Sequence, residues 1–80
     1  MAKTDSELIK IEYDLLDNLV PGTFVVFEVL HGRKLLGTFR EWTTEYGHLA
    51  FVLELPNGAI VREPGSSIVQ AWFAPMGYRL

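Results

Sequence analysis

Ten carboxylates and two histidines are the groups from which this 80-residue chain would have to assemble acid–base or metal chemistry, and their spacing serves neither. The carboxylates are scattered, and no two make an evident acid–base pair. His31 and His48 have no partner at ligand spacing. Cysteine is absent, which excludes disulfides and thiolate metal sites. The glycines are turn residues rather than a phosphate-cradling loop, and no serine stands in a nucleophile elbow. The pattern leads to the expectation of a protein that binds rather than catalyses, with no cofactor and no metal.

Binding chemistry is better supplied. Tyr46 offers a flat face on which an unstacked base would gain ~1–3 kcal/mol; the same ring would also serve to cover one end of the fold. His48 would hydrogen-bond a base edge, or simply begin a strand at the surface. Arg62 would sandwich a base or pair with phosphate through its planar fork, or else form a salt bridge to Glu63 or Glu45. Arg33, Lys34 and Arg40 make the one basic cluster. On a strand Lys34 and Arg40 share a face and Arg33 takes the other, so the three do not form one obvious phosphate patch.

The elements that must position these residues follow from the periodicity. Thr4 and Glu7 are spaced as a capping box, and Leu8, Ile11, Leu15 and Leu19 recur at helical spacing. A helix over 5–19, ended by Pro21-Gly22, is therefore expected. Residues 9–15 also alternate strictly, as a strand would, and that reading competes with the helix. Beyond Gly22 the pattern is β throughout, with strands predicted at 23–30, 33–42, 48–55, 59–62 and 67–73. Turn signals separate them: His31-Gly32, a loop over 43–47, Asn57-Gly58 and Pro64-Gly65. Gly37, inside the second of these strands, marks a sharp bend or a close backbone approach. One helix and five closely spaced antiparallel strands imply a mostly β, strongly bent small barrel that fills residues 1–80 as one domain.

Composition limits the partners. Seven Lys+Arg against ten Asp+Glu give a net charge of −3, so duplex DNA is not gripped through the global field. The chain is 49% hydrophobic with mean hydropathy +0.17, which excludes a disordered tail, yet its apolar runs are too short for a membrane-spanning helix. The start Met1-Ala2-Lys3-Thr4-Asp5 lacks a secretory pattern, and a cytoplasmic protein is expected. A core this small contributes only ~3–5 kcal/mol, so self-association is an expected staple. Trp72, Phe73, Met76 and Tyr78 crowd the C-terminus, either as an edge covered by its own tail or as an intersubunit edge.

Read with its residues, this order of elements resembles the Sm-like (LSm) family of RNA-binding ring proteins. The stretch 14–19, Asp-Leu-Leu-Asp-Asn-Leu, resembles the end of that family's N-terminal helix. Gly32-Arg33-Lys34-Leu35-Leu36-Gly37 resembles its first motif, and Trp42 stands where an aromatic usually closes the second strand. Aligned on the third strand, Tyr46 falls at the family's stacking position and His48 at its asparagine position. Arg62 matches the second motif, while Glu63 occupies the glycine place and Gly65 comes late.

The resemblance implies a homo-oligomeric ring of six to eight subunits, joined through strands 59–62 and 67–73, with Ile60, Val61, Ile68, Val69, Trp72 and Phe73 at the interface. It also implies single-stranded RNA bound by Tyr46, His48, Arg62 and Gly65. The rival expectation is an acidic SH3-like barrel that serves as a protein-interaction or scaffold module without RNA. Whether Tyr46 and Arg62 converge on one surface separates the two.

Overall fold

The computed structural model, which describes residues 7–80, places β1 at Ile9–Lys10, a single helical turn α1 at Tyr13–Leu16, β2 at Phe24–Val29, β3 at Arg33–Glu45, β4 at His48–Glu54, β5 at Ile60–Pro64 and β6 at Ile68–Phe73. All pairings are antiparallel, in the order β1-β6-β2-β3-β4-β5, and the sheet stays open between β1 and β5. The five predicted strands are β2 to β6, and β3 runs three residues further than expected. Among the described residues, no helix is long and apolar enough to cross a membrane.

The helix expected over 5–19 is corrected. Residues 5 and 6 lie outside the described residues, and from Ile9 the alternating pattern prevails over the helical one. Ile9 and Lys10 pair with Phe73 and Trp72 of β6, and the Ile11 N–H donates to the Ala71 carbonyl at 2.8 Å. The open edge of β6 thus offers hydrogen bonds that a solvent-facing helix would not match. Glu12 stays extended (φ −69°, ψ 150°), so only one helical turn follows. Its helical apolar stripe is divided: Ile11 and Leu19 enter the core while Leu15 is exposed. The sixth strand, β1, comes from this same segment.

One ion pair shows how far the sheet curls. Arg33 opens β3, and Glu63 on β5 lies opposite Phe51, itself opposite Trp42 on β3. Along a flat strand Arg33 and Trp42 would be about 30 Å apart at ~3.3 Å per residue. The Arg33 guanidinium nevertheless donates to both Glu63 carboxylate oxygens at 2.8 and 2.9 Å. The strand achieves this by bending mid-length: its first half pairs with β2, its second half with β4, and the register shifts between Phe39 and Glu41. Gly37 sits at that bend. A Cβ there would lie 2.6 Å from the Glu54 carbonyl oxygen, which is the close approach the lone strand glycine signals.

Val25, Phe27 and Val29 of β2, Phe39 of β3, Phe51 and Leu53 of β4 and Ile68 of β6 fill the interior. Phe27 and Phe51 meet edge to face across it, with centroids 5.0 Å apart. Ile11, Leu16 and Leu19 plug one end. A second, smaller layer lies on the outer face: Val26, Leu36 and Tyr78 are buried together, with Trp72 and Phe24 packed against them. The C-terminal tail therefore covers the sheet that it follows.

Candidate binding groove

The loop expected at 43–47 contracts to two residues. Thr43 and Thr44 are β-branched and continue β3, pairing with Ala50 and Leu49. The hairpin closes at Tyr46-Gly47, both with positive φ (52° and 79°), as in a type I′ turn. Tyr46 is 97% exposed there. A bulky side chain in the left-handed region carries a cost of ~1–2 kcal/mol, and this one buries nothing in return. Tyr46→Asn, which supplies the residue that such turns favour, is expected to stabilise the fold by about 0.5–1 kcal/mol, and thermal unfolding would read it as a rise of several degrees.

Register places the other candidates. Glu45 lies opposite His48, Ala50 opposite Pro64, and Val52 opposite Arg62, so Glu45, His48 and Arg62 share the outer face. Tyr46 lines a cleft with Glu45 and His48, and Arg62, opposite Val52 on the same face, does not line it. Arg62 Nη1 lies 3.6 Å from a Glu45 carboxylate oxygen, one of the two salt bridges its position suggests. Arg33 is held by Glu63 and Arg40 by Glu54. Lys34 Nζ lies 5.9 Å from the centre of the Trp72 ring. The basic cluster is therefore dispersed among separate partners.

Gly65 lines the adjoining cleft rather than the one with Tyr46 and His48, although its neighbours Pro64 and Ser66 line the latter. It opens the short helical turn Gly65–Ser67, where a Cβ would lie 3.1 Å from Cζ3 of Trp42. The expected interface residues are likewise divided. Ile68 is a core residue at 3% exposure, Val61 and Phe73 pack against the core, and Trp72 packs beneath the tail. Ile60 and Val69 are exposed, at 56% and 48%.

Two adjoining clefts lie where the chain leaves β5. One, of about 260 Å³, is lined by Glu45, Tyr46, His48, Leu49, Ala50, Pro64 and Ser66. The other, of about 290 Å³, is lined by Tyr13, Leu16, Asp17, Trp42, Leu49, Gly65 and Ser66. Leu49 and Ser66 belong to both, so the clefts lie side by side with these two residues as their common wall. Each is smaller than the ~300–1,000 Å³ of small-molecule sites and suits side chains of a longer ligand. β4 also runs two residues past the start of its pairing with β5, which leaves His48 and Leu49 without a strand partner on that side.

Sequence reasoning found the Tyr46–His48 half of this groove and missed the Tyr13–Trp42 half. Tyr13 reaches it from α1, its hydroxyl donating to the Ile68 carbonyl at 3.3 Å; Trp42 is fixed by its indole N–H, which donates to the Leu16 carbonyl at 3.0 Å. Those two bonds hold α1 against the curled sheet beside the second cleft. Compared with protein-family models, with curated proteins and with solved structures, the chain gives no match.

Proposed function

We propose that the chain is a non-enzymatic binding module of the small-barrel type shared by SH3-like and Sm-like proteins, and that it grips an extended segment of a partner protein. The observation that carries this reading is the pair of adjoining clefts beside the β3–β4 hairpin, which share Leu49 and Ser66 and are walled largely by aromatic and apolar side chains. The Gly65–Ser67 turn lies against this end of β4, beside the Leu49 carbonyl, so such a segment would be held by its side chains in the two clefts rather than as an added strand. Tyr46, kept at the hairpin tip against its conformational cost, would close over it. The acidic net charge suits this partner better than a polyanion.

A second reading, single-stranded RNA on a ring of six to eight copies, draws support from Tyr46 and His48 lining one cleft, with Arg62 on the same face as His48. It ranks second because Arg62 is paired with Glu45, which adds a carboxylate at that spot. Strand pairing between copies also has limited room: β1 and Ile11 occupy the β6 edge from Ala71 to Phe73, leaving Ile68 to Gln70.

Amide-resolved NMR titration separates the readings. A library of short extended peptides should include members that shift the His48, Leu49 and Ser66 amides, and Tyr46→Asn should weaken them about tenfold. A uridine-rich oligoribonucleotide that shifts the same amides while no peptide does, with native mass spectrometry showing a hexamer to octamer, would replace the first reading by the second.

A further inference from the structure

We infer that the cleft between α1 and the Gly65–Ser67 turn receives a cationic side chain, a lysine or arginine of the bound segment; this rests on the protein-binding reading above. The argument starts from what the walls have left to offer. Both aromatic donors of the cleft are spent inside the fold, the Tyr13 hydroxyl on the Ile68 carbonyl and the Trp42 indole N–H on the Leu16 carbonyl. The two rings therefore present π surface and edges to the cleft, not hydrogen bonds. Its charged lining group is Asp17. Among the described residues its carboxylate forms no salt bridge, whereas Arg33, Arg40 and Arg62 are each committed to a glutamate.

Two aromatic rings and an uncompensated carboxylate around one concavity select for a cation. The ring quadrupoles attract positive charge, the carboxylate attracts it at longer range, and the apolar wall accepts the methylene stem that precedes it. The surroundings reinforce the sign. Glu7, Glu12, Asp14 and Asp17 on the segment that carries α1 face a single lysine, Lys10. An anionic or neutral hydrogen-bonding side chain would meet neither a positive charge nor an available aromatic donor there. Gly65 contributes by absence of bulk, since a Cβ at that position would press on the Trp42 ring.

The probe is a capped, amidated peptide Leu-Lys-Leu-Lys-Leu, titrated beside a twin with glutamine in place of each lysine. The readout is the indole N–H resonance of Trp42, assigned by its persistence in Trp72→Phe. The lysine peptide is expected to shift that resonance and to bind about tenfold more tightly than the glutamine twin, with the difference shrinking as salt rises. Asp17→Asn should remove most of the difference, chiefly by weakening the lysine peptide, and a thermal unfolding curve unchanged from the wild type separates this from a merely unfolded variant. Equal binding of both peptides at Leu49 and Ser66 would overturn the cation inference and leave the groove reading intact. No shift of the Trp42 indole by the lysine peptide at millimolar concentration would also overturn it. Loss of every groove shift, with either peptide, would count against the groove reading itself.

Discussion

Gly37→Ala is expected to destabilise the fold by about 2–3 kcal/mol, the upper part of the range for inserting bulk into a packed site. The added methyl would meet the Glu54 carbonyl oxygen at 2.6 Å, the carbonyl carbon at 3.2 Å and the Leu55 Cα at 3.4 Å, all backbone atoms. None can rotate away. Relief requires β3 and β4 to separate at the bend where β3 turns from one partner strand to the other. For a domain with so small a core, that loss approaches the whole stability, and the melting temperature should fall by at least ~10 °C. Gly65→Ala is the internal control. Its nearest obstacle is the edge of the Trp42 ring at 3.1 Å, which need give by only a few tenths of an ångström, so a cost smaller than that of Gly37→Ala, about 1 kcal/mol, is expected. Urea titration of the two variants against the wild type checks both; equal costs would mean that the bend is not the constraint.

The contrast between these glycines also shows what the sequence makes legible. An isolated glycine inside an otherwise alternating strand signals a local event, and Gly37 could be read as one from its neighbours alone. The five strands were readable for the same reason: alternation such as Leu49, Phe51, Leu53 encodes burial of one face locally. The N-terminal segment was not, because residues 9–15 satisfy two periods at once, and the choice is made by the unpaired edge of β6, more than fifty residues away in the chain. The β3–β4 turn was hidden by Tyr46, a residue that turns of this type disfavour, so the extended Thr43-Thr44-Glu45 looked like part of a loop. The groove was half visible. Tyr46 and His48 are close in sequence, while Tyr13, Trp42, Leu49 and Ser66 meet only after the sheet has curled and α1 has docked on Trp42.

Removal of the C-terminal tail is the other large effect expected, and it tests the outer layer rather than the barrel. β2 is buried on both faces: Val25, Phe27 and Val29 belong to the main core inside the curled sheet, and Val26 packs on the other face with Tyr78. A strand that is apolar on both faces needs two covers, and the second is supplied by the seven residues after β6. The chain turns at Pro75, where the Tyr78 N–H donates to the Pro75 carbonyl at 3.0 Å, and this turn sets the ring over Val26 and Leu36. Tyr78→Ala is therefore expected to cost about 2–4 kcal/mol, near the range for truncating a buried aromatic, whereas Tyr78→Phe should stay within about 0.5 kcal/mol because the ring does the covering. Deleting residues 75–80 should add a change of state. With Val26, Leu36 and Trp72 uncovered as one patch, the shortened chain is expected to associate with a concentration dependence that the full chain lacks, measurable by sedimentation velocity. A truncated chain that stays monomeric with unchanged stability would show that the tail does not cover the sheet. Association of the truncated chain alone would place the apolar C-terminus on the side of self-coverage rather than of an intersubunit edge, the choice that its crowd of aromatic residues leaves open.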